Sequence, residues 1–591
     1  MGIFQSASDD RLAVWAGSLG VDGTLKGYDI TRTAKSINRT PAGNLTHQAH
    51  RKGVPNEDSN HGDWPQTVRA DMLAAHSTGA NRQQKKSVFM TEPTAHQAAT
   101  HSMPWAQTGR QPRIAIIGAG MSGIAAVVKL QKAGYTDVTV YEKTDRVGGT
   151  WRENTYPGLS CDVPSRWYSF YFALKGDWPH RYSYGADIQA YMEQVAEDFG
   201  VTQKVTFNTV VAELTYEAPC WRLVTSHGKQ EIFDVVISAT GILHQPQYPD
   251  IKGLDTFQGA CFHTARWDHS TELKGQRVGI IGTGSTACQI VGAITEQVSE
   301  MHVFQRTAHW LSPLPQIEYS TGWNRLISAF PSLQRLTYHY YCRLMVHTFS
   351  AATVGNKFMQ RLINKTCLKN LADNVPDPVL RAKLTPDYDA TCKRLIFCSE
   401  FYPAISRSNA HLITDGIAQI EAQGIRTVDG VLHELDALIL ATGFNAAAFV
   451  LPARVTGENG VDLETQWDGA PRAHRAVALP GFPNFWMVEG PTGPVGNLSL
   501  IAISEHQVDY IVSMLDHMKA DGLAAIAAKQ SAYDNYNAAM GEAIKNTTWA
   551  TGGCTSWYFD KSGVPNLYPW PPLHYLKSMR NPDYSEYHLI K

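Results

Sequence analysis

No run in this chain reaches the about 18 consecutive apolar residues that a membrane span needs, and no basic-then-apolar leader opens it. An excess of charge of one sign is also missing. The 52 Lys and Arg nearly balance 54 Asp and Glu, leaving a formal charge of −2, a field too weak to gather nucleic acid or an acidic membrane. Nine cysteines are scattered without a C-x-x-C pair or a Cys/His ligand spacing, so neither a disulfide framework nor a metal site is expected. These absences predict a reduced, cytoplasmic protein that binds no nucleic acid and no metal. Met1-Gly2-Ile3-Phe4-Gln5-Ser6 fits a loose acylation pattern. Six residues match by chance often, and one acyl chain anchors only marginally.

What remains is globular. The chain has 591 residues, enough for three or four domains, with 43% hydrophobic and 18% charged residues. Residues 1–110 are rich in Ala, Thr, His, Gln and Asn and poor in apolar clusters. They read as an N-terminal extension, partly disordered or wrapping the body, with one short helix from Asp63 to Ala75.

Order is expected from Arg113. Ile114–Ile117 is a short apolar run suited to a buried parallel strand. It leads into Gly118-Ala119-Gly120-Met121-Ser122-Gly123, a helix through Leu130, a C-cap at Gly134, and a second strand, Val138–Tyr141, ending in Glu142. This is a complete βαβ unit. Gly118 supplies a tight turn, Gly120 lets backbone approach a pyrophosphate, and Gly123 allows close helix–strand packing; Glu142 suits a ribose 2′-hydroxyl. The helix N-terminus adds free N–H groups and a favourable dipole for phosphate.

The pattern then repeats. Arg277–Ile281 precedes Gly282-Thr283-Gly284-Ser285-Thr286-Ala287, with alanine at the helix-packing position. Its second strand, Met301–Phe304, ends in Gln305-Arg306-Thr307 rather than in a carboxylate. Arg306 is either a plain surface arginine or the partner of a 2′-phosphate. The first unit therefore reads as an FAD site and the second as an NADPH site, in an α/β chain with two Rossmann-like dinucleotide-binding domains. Residues 319–390 break the alternation and predict a helical insertion, with a dense aromatic patch around Tyr338, Tyr340 and Tyr341. The expected division is an FAD domain over 111–250 and 434–550, an NADPH domain over 251–318 and 391–433, and an aromatic, proline-rich segment over 551–591.

Between the two glycine turns lies Phe257-Gln258-Gly259-Ala260-Cys261-Phe262-His263-Thr264-Ala265-Arg266-Trp267-Asp268. Taken alone, His263 is a hydrogen-bonded connector histidine. The string F-x-G-x-x-x-H-x-x-x-W-[PD] resembles the fingerprint of type I Baeyer–Villiger monooxygenases, and the resemblance runs over roughly residues 111 to 570. It implies an FAD enzyme that uses NADPH and O2 to insert oxygen beside a ketone carbonyl through a flavin C4a-peroxide, giving an ester or lactone. Gly148-Gly149-Thr150-Trp151 is similar to the family's flavin-binding stretch. A dithiol flavoenzyme would carry a cysteine pair just beyond it, where this chain has only Cys161.

The resemblance also implies that Asp162, Val163 and Tyr168 lie at the flavin; Asp162 is otherwise a solvated loop carboxylate. Val211 and Ala239-Thr240-Gly241 suit strand ends of the flavin domain. Lys393 is implied to assist the 2′-phosphate. Arg394 is implied to reach the flavin and nicotinamide and, as a cation that does not titrate, to favour ketone chemistry. Asp162 would orient Arg394, and His263 would govern connector movement more than chemistry. Leu435–Gly443 is expected to return the chain to the flavin domain. Trp557 is similar to a family tryptophan that touches NADP on a mobile loop. The substrate expected is a lipophilic, bulky or natural-product ketone. A flavin N- or S-oxygenase, a peroxide-releasing oxidase and a redox-sensing module without turnover remain open.

Overall fold

The structure is a computed structural model that describes residues 103–591. The helix expected over 63–75 and the Met1-Gly2 pattern lie outside the described residues.

Order begins before Arg113. Trp105 is 2% exposed and meets the Tyr135 ring edge-on at 6.2 Å. Arg110 grips Asp234 with two hydrogen bonds of 2.7 and 2.6 Å. The segment just before residue 110 is therefore part of the body, a correction to the expected boundary. One tryptophan buried by distant chain leaves no local pattern to read.

In chain order, the elements that position the site are β1 (Ile114–Ile117), α1 (Met121–Lys132), β2 (Val138–Tyr141), β3 (Ala260–His263), β4 (Arg277–Ile281), α2 (Ser285–Ile294), β5 (Glu300–Phe304), α3 (Thr321–Ala329), α4 (Pro331–Met345), α5 (Lys357–Asn374), β6 (Ala437–Leu440) and α6 (Leu500–Asp521). A first all-parallel sheet runs in the order Phe485–Met487, Val235–Ser238, β1, β2, Val205–Thr206. β1 is buried along its whole length, as a strand covered on both faces must be. Helix α6 lies along α1, where the hydroxyls of Ser122 and Ser504 meet at 2.9 Å.

A second parallel sheet runs in the order Ala410–Ile413, β5, β4, β6, β3. Its membership corrects the sequence reading, which returns the chain to the flavin domain from residue 434. β6 instead sits between β4 and β3, so the chain leaves this sheet only beyond Leu440. Its Ala-Leu-Ile-Leu side chains are fully buried and would suit the centre of either sheet, so composition carries no signal of which one. β3 is the fingerprint segment itself. It is an edge strand in register with β6, with His263 opposite Leu440.

Residues 321–383 are mainly helical, through α3, α4, α5 and Pro378–Lys383. Near the end of the chain, Tyr587–Ile590 pairs antiparallel with Ala525–Ala528.

Candidate active site

The two glycine turns are built alike. Gly118 has φ +103° and Gly282 φ +115°, a region where a side chain would be strained. Each also presses on a strand-end carbonyl: a Cβ on Gly118 would lie 2.6 Å from the Ala239 oxygen, and one on Gly282 2.5 Å from the Ala441 oxygen. The two Ala-Thr-Gly strand ends thus occupy equivalent places. Gly123 backs onto the Gly118 carbonyl, with a would-be Cβ at 2.0 Å, while Ala287 fills that role in the second turn and is fully buried. Gly120 and Gly284 cap α1 and α2 without side-chain hydrogen bonds, so the first-turn N–H groups remain available to phosphate. A Cβ on Gly284 would meet nothing within 4 Å. Both cradles fit a dinucleotide pyrophosphate.

At the end of β2, Glu142 is buried. Its carboxylate accepts the Ala119 N–H at 2.8 Å and the Thr144 hydroxyl at 2.7 Å, so it pins the first glycine turn. Val211 is buried and begins the strand Val211–Glu217, close to Thr209, whose N–H donates to the Glu142 carbonyl at 2.9 Å. Next to the turn, Thr150 starts a single helical turn. Trp151 donates its indole N–H to the Tyr168 hydroxyl at 3.1 Å, and the two rings meet edge-on at 5.7 Å. The Val163 N–H donates to the buried Cys161 sulfur at 3.4 Å.

The second turn is more cationic. Thr283 donates to the Thr307 carbonyl at 3.1 Å, tying the turn to the end of β5. Ser285 and Thr286 open α2, half-buried. Arg306 is exposed and carries no salt bridge among the described residues. Lys393 sits over the Tyr388 ring at 4.6 Å. Burial lowers its ammonium below the ordinary lysine value, and the Arg306 guanidinium lowers it further. Two cations close enough to disfavour each other favour an anion beside them.

Arg394 meets Asp162 across 232 positions of sequence. Its Nη2 and Nε both donate to Oδ2, at 2.6 and 3.1 Å. Burial works against the cation, but the Asp162 carboxylate outweighs it, and the guanidinium pKa is raised. The Arg394 side chain remains 34% exposed. Tyr558, absent from the sequence-derived site residues, faces the same guanidinium. Burial raises its phenol above the ordinary value and Arg394 pulls it back. A cavity of about 170 Å³ lies beside it, lined by Ile242, Phe449, Thr492, Val495, Trp557 and Tyr558. The half-exposed Trp557 ring packs on Tyr558 at 4.4 Å.

His263 stands apart from this cluster. Its Nε2 meets the Gly443 carbonyl at 3.0 Å, and its Nδ1 accepts the Ala265 N–H at 3.1 Å. Burial lowers its pKa to about 4, so the ring is neutral, with both nitrogens engaged by backbone. It holds the fingerprint strand to the second Ala-Thr-Gly end and has no nitrogen left for proton transfer.

One cysteine expectation is overturned. Cys392 and Cys554 form a disulfide across 162 residues of sequence. A separation of that size lies outside any local spacing rule. The bond joins the residue before Lys393-Arg394 to the segment that leads into Trp557-Tyr558.

Residues 111–452 match the family of flavin-binding monooxygenase-like proteins. An uncharacterized monooxygenase of Mycobacterium tuberculosis is 43% identical over 82% of this chain and 97% of its own. A Baeyer–Villiger monooxygenase of Streptomyces coelicolor is 38% identical over 82% of this chain and 94% of its own. The crystal structure of OTEMO in complex with FAD and NADP matches with a TM-score of 0.74 at 26% identity, covering 81% of this chain and 100% of that one. With the paired glycine turns, the fingerprint strand and the Arg394–Asp162 pair in place, this chain belongs to the flavin-binding monooxygenase family, among its Baeyer–Villiger monooxygenases.

Proposed function

We propose that the protein binds FAD at the first glycine turn and NADPH at the second, and converts a lipophilic ketone, NADPH, a proton and O2 into an ester or lactone, NADP+ and water. Bound FAD, once reduced by NADPH, supplies the oxygen activation. The chain's own residues place and polarise. The free N–H groups of α1 and α2 take the pyrophosphates, Glu142 the flavin-side ribose, and Arg306 with Lys393 the 2′-phosphate.

The observation that carries the reading is the Arg394–Asp162 pair. A guanidinium does not titrate at working pH. Held by a carboxylate, with Nη1 outside that pair, it offers fixed positive charge to the oxyanion that forms when oxygen adds to a carbonyl. Oxidation of sulfur or nitrogen forms no such oxyanion. His263 organises the β3–β6 edge, and the cavity beside Trp557 and Tyr558 offers an apolar wall for substrate.

The test supplies FAD-loaded enzyme with NADPH and 18O2 and offers ketones and thioethers in parallel. The reading predicts ester carrying one 18O atom, formed in step with NADPH oxidation. Sulfoxide without ester would assign the chain to heteroatom oxidation, and hydrogen peroxide alone would make it an oxidase.

A further inference from the structure

The balanced total charge conceals a one-sided stretch. Between Glu318 and Asp373 the chain carries seven Lys and Arg and no Asp or Glu. The first part of that stretch is α3 and α4, and it is unusually apolar on its outer side. Trp323, Leu326 and Phe330 are 46%, 43% and 51% exposed, and Leu336 and Tyr340 are 63% and 60% exposed. Positions 323 and 326 follow helical spacing on α3, 336 and 340 do so on α4, and Phe330 is the extended residue between the two helices. Ile327, Tyr338 and Tyr341 are the buried anchors. Scattered exposed apolar residues need no explanation, but four large ones on two consecutive helices, with a fifth at their junction, mark an interaction surface.

The face is held firmly. Asn324 donates to the Trp178 carbonyl at 2.9 Å and accepts from Arg166 at 3.0 Å, so α3 is fixed to the body while its apolar side points outward. Arg325, Arg335 and Arg343 are exposed on the same two helices, with no salt bridge among the described residues. Apolar and aromatic side chains flanked by unpaired arginines form the chemistry of a helix lying in the headgroup layer, where rings enter the acyl boundary and guanidinium groups reach lipid phosphates. No described helix is long and apolar enough to cross a membrane, and the face on α3 and α4 would lie on a bilayer surface. A second copy is disfavoured on charge: a two-fold contact sets the same patch against itself and brings like-charged arginines together.

We propose that α3 and α4 form a docking face for an anionic lipid bilayer, with Trp323, Leu326 and Phe330 entering the interface and Arg325, Arg335 and Arg343 holding lipid phosphates. The inference is independent of the ketone reading.

Full-length protein is sedimented with phosphatidylcholine vesicles containing or lacking phosphatidylglycerol, at low and high salt. The expected result is binding to the phosphatidylglycerol vesicles alone, weakened by salt. Each arginine near an anionic surface contributes about fivefold, so the combined Arg325→Glu, Arg335→Glu and Arg343→Glu variant loses about 100-fold or more in partitioning. A Trp323→Ser, Leu326→Ser and Phe330→Ser variant, checked for an unchanged melting temperature, loses binding as well. Failure to bind phosphatidylglycerol vesicles overturns the proposal, as does binding that survives both variants. Self-association without vesicles that the serine variant abolishes would instead assign the face to a second copy.

Discussion

Arg394 and Asp162 are joined through a single carboxylate oxygen, Oδ2, which accepts from both Nη2 and Nε of the guanidinium. This leaves the remaining guanidinium donor, Nη1, beside Tyr558 and Gly496. The carboxylate therefore sets the angle of the cation as well as favouring its charge. In Asp162→Asn the charge on Arg394 persists but its orientation slackens. Ester formation is expected to fall by about 10- to 100-fold, in line with losing a charged hydrogen bond of about 1.5–3 kcal/mol. NADPH consumption should fall less, so the ratio of ester formed to NADPH consumed is the readout. An unchanged ratio would show that Asp162 does not position Arg394.

In the proposed function Arg306 and Lys393 supply cofactor choice. Arg306→Ala is expected to raise the KM for NADPH by about 10-fold or more, the cost of losing one charge-assisted contact to phosphate. The KM for NADH should change little. Steady-state kinetics with the two cofactors separate this outcome from a general loss of folding, which would affect both alike.

The Cys392–Cys554 bond ties the Trp557-Tyr558 segment to the stretch bearing Lys393 and Arg394. Closing a long loop typically stabilises by about 2–4 kcal/mol. Cys392→Ser with Cys554→Ser should therefore lower the melting temperature and raise the KM for NADPH. A reductant should do the same to the natural chain and leave the double variant unaffected. Equal melting temperatures with and without reductant would show that the bond carries no constraint.

Two buried carboxyls make stability depend on pH. Burial raises Glu489 to about 8, with Ser504 donating to it, and raises Glu505 to about 7. The folded state keeps these protons when the unfolded chain has lost them. Stability is therefore expected to fall as pH rises from the ordinary carboxyl range through about 8. Each tenfold difference in proton affinity between the folded and unfolded chain is worth about 1.4 kcal/mol. Urea midpoints at about pH 5.5 and about pH 9 give the slope, and Glu489→Gln should flatten it. A variant that keeps the full slope would rule Glu489 out as its source.

Local pattern made the two nucleotide turns legible. A glycine whose φ is positive, followed by helical spacing and flanked by apolar strands, leaves its mark within about 30 residues. Glu142 and Arg306 could be placed for the same reason, since each follows its strand directly. The fingerprint located His263 but not its partners, because the Gly443 carbonyl it meets is 180 residues away. Distance in sequence also hid the disulfide, the place of Tyr558 beside Arg394, and the entry of β6 into the second sheet. Each depends on which surfaces meet after folding, and Ala-Leu-Ile-Leu or a lone cysteine looks the same wherever it finishes. The docking face was masked differently, by a net charge that averages one basic stretch against acids elsewhere.

In the proposed function the fixed charge of Arg394 directs oxygen to a ketone carbonyl. This role is tested most directly by comparing ester formation in the natural enzyme, Arg394→Lys and Arg394→Ala, each loaded with FAD and supplied with NADPH and one ketone that the natural enzyme converts. Loss of a preorganised oxyanion donor costs about 100- to 1000-fold, so Arg394→Ala should make at least about 100-fold less ester while retaining bound FAD, with Arg394→Lys between the two. Ester formation by Arg394→Ala at close to the natural rate would contradict the account.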